Sequence, residues 1–342
     1  MQAANRLIRF LREHRRSLNP LLILTHNHPD PDAVASAFAL AHLAKSVARI
    51  RSRIVHGGII GRTENRAMVR LLRIPIRPLR SELLRHPTVA LVDTQPSFGN
   101  NPFPKTGRQP ALIIDHHPAA VPCQADCCII HPEVGATSVI LAQAVLQAGC
   151  SIPAELATAL VYGILSETQD LGRETRELEI RTYRQILPWC DLRSLALIQN
   201  PQKPRDFFRV VRRSLDRAFV RGELIGTHLG VVSTPDRVSQ TADFLLACEG
   251  IRWSFCTGRY RGRLHVSLRA LRPVLHAGRL LQKVLAEKER AGGHACVAGG
   301  SLPVESPQAE SRWRRCEERV ELDLVKHLYK GRIPPKRFPF HG

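Results

Sequence analysis

The chain contains, at residues 21–46, the sequence LLILTHNHPDPDAVASAFALAHLAKS. Residues 21–25 form a continuous apolar run that ends in a threonine, which is typical of a β-strand buried on both faces. Residues 33–46 are rich in alanine and leucine at a helical period and predict a helix. A buried strand followed at once by a helix indicates a parallel α/β sheet, and the polar residues 26–32 would then lie at the carboxyl end of the first strand.

The same alternation of short apolar runs and helical segments continues through the first half of the chain. It predicts an α/β fold class, with a parallel-sheet N-terminal domain covered by helices. The remaining predicted strands of this domain lie at 50–56, 89–92, 111–114 and 128–130, and the remaining predicted helices lie at 64–72, 137–148, 153–165 and 175–187.

The second half of the chain predicts a smaller α+β domain. We expect an N-terminal domain of residues 1–195, a helical linker of residues 196–222, and a C-terminal domain of residues 223–342 that caps the first across a cleft and ends in a basic tail. The predicted elements of the second half are helices within 191–220, a strand at 229–233, a helix at 238–248, a hairpin of 253–257 and 264–268, a helix at 274–289, a glycine-rich turn at 291–294, a strand at 296–302 and a helix at 310–329.

Composition places the chain among folded proteins. Its 342 residues suggest two domains, and its 44% apolar content is enough for a real core. There is no apolar run long enough to span a membrane, and the N-terminal residues alternate charge with apolar side chains, unlike a signal peptide. The nine cysteines show neither a disulfide framework nor paired zinc knuckles. We therefore expect a cytoplasmic protein with reduced thiols and no membrane partner.

The net charge of +20 favours a phosphate-rich partner. Of the 50 basic residues 42 are arginine, spread along the whole chain, so a genomic base-composition bias explains the charge equally well. Aromatic residues make up only 5% of the chain, which argues against a long stacking platform for extended single strands.

Acidic and imidazole side chains follow several of the predicted strands. They lie in residues 26–32, at 93 and at 115–117, and a further acidic position at 167 lies on a predicted helix. Taken singly, a lone aspartate after a strand is usually a helix cap, and Asp-His-His can be a turn. Together at one sheet edge, such carboxylates repel one another unless multivalent cations lie among them. Oxygen and imidazole ligands without thiolates suit Mn²⁺ or Mg²⁺, and a pair of such ions predicts phosphoester hydrolysis.

In order and spacing these motifs resemble the DHH phosphoesterase family. The matching pieces of the first half are His26-x-x-x-Asp30-x-Asp32, Val92-Asp93-Thr94, Asp115-His116-His117 and the segment from Gly163 to Thr168. In the second half, the segment from Val266 to Arg269 and the sequence Gly292-Gly293-His294 look like the DHH-associated C-terminal domain.

The resemblance implies a site with two Mn²⁺ ions, or Mg²⁺ in their place. His26 and Asp30 would hold one ion and Asp93 would bridge the pair. The second ion would be held by Asp32, His116 and Glu167. Asp115 would orient an imidazole, and His117 would face the scissile phosphate. The implied substrate-binding residues are Arg269, Gly292, Gly293 and His294.

Three positions depart from the family pattern. Glu167 stands where aspartate is usual, and its extra methylene would retune the site more than abolish it, with Asp170 one helical turn on as a back-up ligand. Pro31 stands where glycine is common and stiffens the loop between the two motif aspartates. Ala291 stands where a third glycine is frequent.

A two-domain chain of this length is most similar to the stand-alone nanoRNase type within the family. The expected reaction is therefore hydrolysis of short oligoribonucleotides, of 3′-phosphoadenosine 5′-phosphate, or of both. The alternatives are a cyclic-dinucleotide phosphodiesterase, a polyphosphate or pyrophosphate hydrolase, and a non-catalytic nucleotide-binding relative. The expected partner is a short RNA or nucleotide substrate, and a homodimer is compatible with the sequence.

Overall fold

The computed structural model describes residues 2–80, 86, 88–104, 107–119, 121–172, 175–285, 291–293, 295–304 and 309–340. The chain forms two compact units, of residues 1–202 and 203–342. The boundary between the units lies inside the segment 196–222 that the sequence predicts as a linker. None of the described helices is both long enough and apolar enough to cross a membrane.

The first unit contains a six-stranded sheet in which every pair of neighbouring strands is parallel, in the order β3-β2-β1-β4-β5-β6. This confirms the predicted parallel sheet. Strand order reverses between β1 and β4, and ligands bind beside the carboxyl ends of strands at such a point. The strands are β1 (Leu21–Thr25), β2 (Ser52–His56), β3 (Ile76–Pro78), β4 (Val89–Val92), β5 (Leu112–Asp115) and β6 (Cys127–Ile130).

Seven α-helices are described in the first unit, and α2, α4 and α5 pack on one another in its main core. Gly163 of α5 allows this close packing, since a Cβ there would come within 2.9 Å of the Ala35 Cβ atom and 3.1 Å of the Ser138 Oγ atom. The helices are α1 (Gln2–Glu13), α2 (Pro31–Ala48), α3 (Thr63–Leu71), α4 (Thr137–Gln147), α5 (Ala154–Glu167), α6 (Glu177–Ile186) and α7 (Leu192–Gln199).

The second unit is α+β, as predicted, with a mixed six-stranded sheet of order β11-β12-β10-β9-β8-β7. Only the β8–β9 pair is parallel among its described strand pairs. The strands are β7 (Phe219–Arg221), β8 (Leu224–Val231), β9 (Trp253–Tyr260), β10 (Arg263–Ala270), β11 (Ala291–Gly293) and β12 (Val297–Pro303). The helices are α8 (Arg205–Asp216), α9 (Asp236–Leu246), α10 (Ala277–Val284) and α11 (Glu310–Leu328).

Two local predictions for the second unit are wrong. The hairpin turn is only two residues long, Arg261 and Gly262, both with positive φ, so β9 and β10 are longer than expected. The predicted glycine-rich turn is instead, over residues 291–293, the short edge strand β11 paired with β12. A three-residue strand of small residues has no apolar period from which it could be predicted.

The two glycines of β11 differ in whether the backbone leaves room for a side chain. Gly293 has φ +143°, and a Cβ there would lie 2.1 Å from the Val297 carbonyl oxygen, whereas a Cβ at Gly292 meets nothing within 4 Å. We expect Gly293→Ala to lower the free energy of unfolding by about 1 to 3 kcal/mol and Gly292→Ala to leave it unchanged. Calorimetry of the two variants checks this, and equal stability of both would contradict the strained geometry.

The cysteines do not all have free thiols. Cys123 and Cys128 form a disulfide that joins the loop after β5 to the edge strand β6. The expectation of reduced thiols throughout is therefore wrong for this pair. A sequence separation of five residues cannot by itself distinguish a local disulfide from two free thiols. The seven other cysteines form no disulfide.

Candidate metal centre

The loop after β1 and the residue after β4 form the first cluster of the site. The Nε2 atom of His26 lies 3.7 Å from the Asp30 Oδ2 atom and 3.5 Å from the Asp93 Oδ2 atom. The other ring nitrogen of His26, Nδ1, is 2.9 Å from the Asn27 carbonyl oxygen. An Nδ1–H donated there leaves Nε2 as the ligand atom that faces the two carboxylates.

The residues after β5 form a second cluster around the other oxygen of the same aspartate. The Asp93 Oδ1 atom lies 3.7 Å from His116 Nε2 and 3.8 Å from His117 Nδ1. The His116 Nδ1–H donates to the Val134 carbonyl oxygen at 3.2 Å, which again directs Nε2 inward. Asp93 thus belongs to both groups of potential metal ligands found among the described residues.

Asp93 has a backbone conformation that suits a residue held for function. It is buried and has φ +59°, a left-handed conformation that is uncommon for a residue other than glycine. Its Oδ1 atom accepts a 2.8 Å hydrogen bond from Thr137 Oγ1 at the start of α4. The carboxylate is therefore fixed between the two clusters.

Asp32 lies outside both clusters because its carboxylate caps α4. Its Oδ2 atom accepts from the Thr137 backbone N–H at 2.8 Å, and its Oδ1 atom accepts from the Ser138 N–H at 2.7 Å. Each oxygen keeps a second lone pair through which Asp32 can still bind a cation. The structure thus assigns Asp32 a capping role that accompanies the predicted ligand role.

Asp115 is fully buried and holds the imidazole of His117. The His117 Nδ1–H donates to Asp115 Oδ1 at 2.7 Å, and the His117 backbone N–H reaches the same oxygen at 3.2 Å. The resemblance implies that Asp115 orients an imidazole, and this role stays a prediction. Since Nδ1 is used in this way, a contact of the His117 ring with a substrate, or a proton transfer, would involve Nε2.

Glu167 is the last residue of α5 and is partly buried. Its charge raises the pKa values of both Asp32 and His117, so it lies in the electrostatic field of the site. It is not a member of the two compact clusters around Asp93. Asp170 has φ +56° and is exposed.

Charge accumulation at the site shows in the pKa values of its acids. Burial, together with repulsion from Asp93, Asp30 and Glu167, holds the pKa of Asp32 well above its ordinary value. Burial opposes ionisation of Asp30 as well, but hydrogen bonding and attraction from His26 outweigh it and lower the pKa of Asp30. Buried carboxylates that repel in this way favour a bound multivalent cation.

The pKa values of the three imidazoles at the site are shifted in different directions. Burial lowers the pKa of His116, whereas at His26 burial is outweighed by the carboxylates of Asp30 and Asp93, which raise the pKa. At His117, burial is outweighed by the hydrogen bond to Asp115 and by the Asp93 charge, which raise the pKa to about 9. His116 is therefore the imidazole best suited to be neutral and to bind a metal.

The donor set fits the predicted cations. Both clusters contain only carboxylate oxygens and imidazole nitrogens, with no thiolate, and they share one carboxylate. Such hard to borderline ligands suit Mn²⁺ or Mg²⁺, and a shared carboxylate is the usual bridge of a two-metal site.

The predicted substrate-binding residues lie in the second unit. Arg269, in β10, is buried, and its guanidinium donates to Asp243, to Ser267 Oγ and to the carbonyl oxygens of Leu268 and Ala298. Gly292 is exposed at the sheet edge. The fourth predicted residue, His294, lies outside the described part of the chain. A substrate role for these positions stays a prediction.

Sequence reasoning missed one residue of the site, Gln95. Its amide nitrogen donates to Asp115 Oδ2 at 2.8 Å and to the His117 carbonyl oxygen at 3.0 Å. A polar residue two positions after the strand-end Asp93 was the only available indication.

A parallel sheet with this carboxylate and imidazole cluster beside the carboxyl ends of its central strands has the arrangement of a metal-binding α/β domain. Residues 20–164 match the DHH family, N-terminal domain. The first unit therefore carries a domain of the DHH family.

Individual proteins also resemble the chain. The uncharacterized protein MJ1633 of Methanocaldococcus jannaschii is 35% identical over 287 residues, 83% of this chain, which spans 58% of the length of that relative. An exopolyphosphatase-related protein from Bacteroides fragilis has a TM-score of 0.74 at 16% identity, and the alignment covers 96% of this chain and 98% of that protein. RecJ in complex with Mn²⁺ from Thermus thermophilus has a TM-score of 0.52 at 15% identity, and the alignment covers 98% of this chain and 56% of RecJ. At these identities the two solved structures establish the fold.

Proposed function

We propose that the protein hydrolyses phosphoester bonds in short oligoribonucleotides, in 3′-phosphoadenosine 5′-phosphate, or in both, with two divalent cations at the site around Asp93. The observation that carries the proposal is that the two oxygens of Asp93 belong to two different ligand clusters. Mn²⁺ is the proposed ion, with Mg²⁺ able to replace it. This choice is supported by the Thermus RecJ structure, which is a complex with Mn²⁺.

Each ligand has a proposed place. His26, Asp30 and Asp93 would hold one ion, and Asp93 and His116 would hold the other with Asp32 and Glu167. When bound, such a pair activates water and neutralises charge on a phosphoryl oxygen. The protein's own part is to fix these ligands through the contacts of Asn27, Val134 and α4, which keep the donor atoms in place without reorganisation.

His117 would act directly on the substrate. Asp115 holds its Nδ1–H, and in the metal-free protein burial is outweighed by the hydrogen bond to Asp115 and by the Asp93 charge, which raise the pKa of His117 and favour the imidazolium form. From Nε2 an imidazolium can donate to a phosphate oxygen and can transfer a proton to the leaving oxygen. This agrees with a role facing the scissile phosphate.

Short substrates are supported by composition. The charge of +20 favours a phosphate-rich substrate, and an aromatic content of 5% is low for a protein that stacks along extended strands. The likeness to an exopolyphosphatase-related protein makes inorganic polyphosphate the second candidate.

A substrate panel tests the proposal. The purified protein is incubated with a dinucleotide, a five-residue RNA, 3′-phosphoadenosine 5′-phosphate, cyclic di-AMP, pyrophosphate and polyphosphate, with Mn²⁺, with Mg²⁺ and with chelator. We expect metal-dependent release of mononucleotide from the short RNAs or of phosphate from the bisphosphate. Turnover of polyphosphate alone would reassign the substrate, and tight nucleotide binding without any turnover would contradict catalysis.

Glu167→Asp restores the residue that is usual in the family. We expect activity to be kept or raised, because Glu167 lies within the electrostatic field of Asp32 and His117 but outside the compact clusters. The measurement is kcat with saturating Mn²⁺ for the variant and the natural protein. A complete loss of turnover would show that the site is built around the longer side chain.

A further inference from the structure

Gln95 connects the loop after β4 to the Asp115–His117 pair. Its side chain is buried, and its single amide nitrogen makes two hydrogen bonds, to Asp115 Oδ2 at 2.8 Å and to the His117 carbonyl oxygen at 3.0 Å. Both N–H groups of the amide are therefore used on the two residues that the proposed function requires to be held together.

The backbone of Gln95 is also fixed. Its carbonyl oxygen accepts from Asn101 Nδ2 at 2.8 Å and from the Phe98 N–H at 3.0 Å. Asn101 Nδ2 also donates to Thr94 Oγ1 at 2.8 Å, and Thr94 donates to Asn100 Oδ1 at 2.7 Å. The amide thus extends from a loop that is tied to the residue after Asp93.

The position of the amide limits how Asp115 can move. His117 occupies Oδ1 of that carboxylate and Gln95 occupies Oδ2, so rotation of the carboxylate would break both contacts. The rings of His117 and Phe98 lie nearly perpendicular to one another, with centroids 5.9 Å apart. A neutral donor suits this place, because it satisfies the second oxygen of a fully buried carboxylate without adding a charge.

We propose that Gln95 is a positioning residue for the hydrolytic reaction, acting through Asp115 on the orientation of His117. The proposal rests on the proposed function. It assigns a role to a residue that reaches the site through the Asp115 carboxylate and the His117 backbone carbonyl oxygen.

Gln95→Glu is the main test, because it is nearly isosteric but presents an acceptor to Asp115. We expect kcat to fall about 10- to 100-fold, as for other residues that orient a ligand or catalytic group, with KM and Mn²⁺ affinity unchanged. The matched control is Gln143→Glu in α4, whose amide bonds to Thr182 Oγ1 in the same unit, and its kcat should stay that of the natural protein.

A double-mutant cycle separates positioning from general stability. In a His117→Ala background, Gln95→Ala should have no further effect on kcat, since its action passes through His117. The proposal would be overturned if Gln95→Ala lowered kcat equally in the natural protein and in His117→Ala. It would also be overturned if Gln95→Glu kept the kcat of the natural protein.

A second readout does not need activity. In metal-free protein with ¹⁵N-labelled histidine, the His117 ring signals, assigned by their loss in His117→Ala, should shift in Gln95→Glu and stay in place in Gln143→Glu. Unmoved His117 signals would overturn the positioning role. Absence of turnover in the natural protein, with the His117 signals shifting as expected, would instead overturn the proposed function and leave Gln95 holding a non-catalytic imidazole.

Discussion

Asp93→Asn is expected to abolish metal-dependent phosphoester hydrolysis while leaving the fold intact. The substitution removes the one carboxylate common to both ligand clusters, so neither ion keeps its full set of charged ligands. Losing several kcal/mol of electrostatic stabilisation corresponds to a fall in kcat of roughly 1,000-fold or more. Asparagine is preferred to alanine because it tolerates the φ of +59° and can still accept from Thr137. Turnover of the panel substrates and the melting temperature are the measurements.

The control for this substitution is Asp126→Asn, an exposed aspartate of the same unit just before β6. It removes the same charge without touching either cluster, and its turnover should equal that of the natural protein. Asp93→Ala gives the same loss of activity with a larger loss of stability. Metal-stimulated turnover by Asp93→Asn at the natural rate would contradict the shared-carboxylate site.

His117→Ala is expected to lower kcat by about 10²- to 10⁴-fold, the range for loss of a general acid or base. The number of bound Mn²⁺ ions should stay the same, because the Nδ1 atom of His117 is bonded to Asp115 and is not free to bind a metal. His116→Ala is the matched comparison on the neighbouring residue, and there the number of bound ions should fall. Titration calorimetry with Mn²⁺ and turnover measurements distinguish the two histidines.

The opposite pattern would reverse the assignments. Loss of an ion in His117→Ala with full occupancy in His116→Ala would make His117 the ligand, and unchanged turnover in His117→Ala would remove it from the reaction.

Much of the first unit could be predicted because its strands are buried on both faces. Continuous apolar runs such as Leu21–Thr25 and Val89–Val92 are recognisable without any tertiary information, and they place Asp93 and the residues after β1 at one edge of the sheet. The second unit was less predictable. Its edge strand β11 exists only through pairing with β12, a non-local contact between small residues.

The contacts that position the site were the part that sequence could not supply. Asp32 caps a helix that begins 105 residues further along the chain, and Gln95 reaches Asp115 across 20 residues. Such bonds depend on how α4 and the loop after β4 fold over the sheet edge, and no local pattern encodes them. The motif spacing therefore predicted a set of residues, and the structure shows the hydrogen bonds that hold Asp32, Asp93 and His116 among them.

Low-temperature electron paramagnetic resonance of the Mn²⁺-loaded protein can show whether Asp93 bridges two divalent cations. Two Mn²⁺ ions at the ~3.5–4 Å separation of a bridged pair are magnetically coupled. We predict two bound ions per chain and a coupled spectrum, which Asp93→Asn converts to that of isolated Mn²⁺. A single bound ion, or two magnetically uncoupled ions in the natural protein, would contradict a bridging role for Asp93.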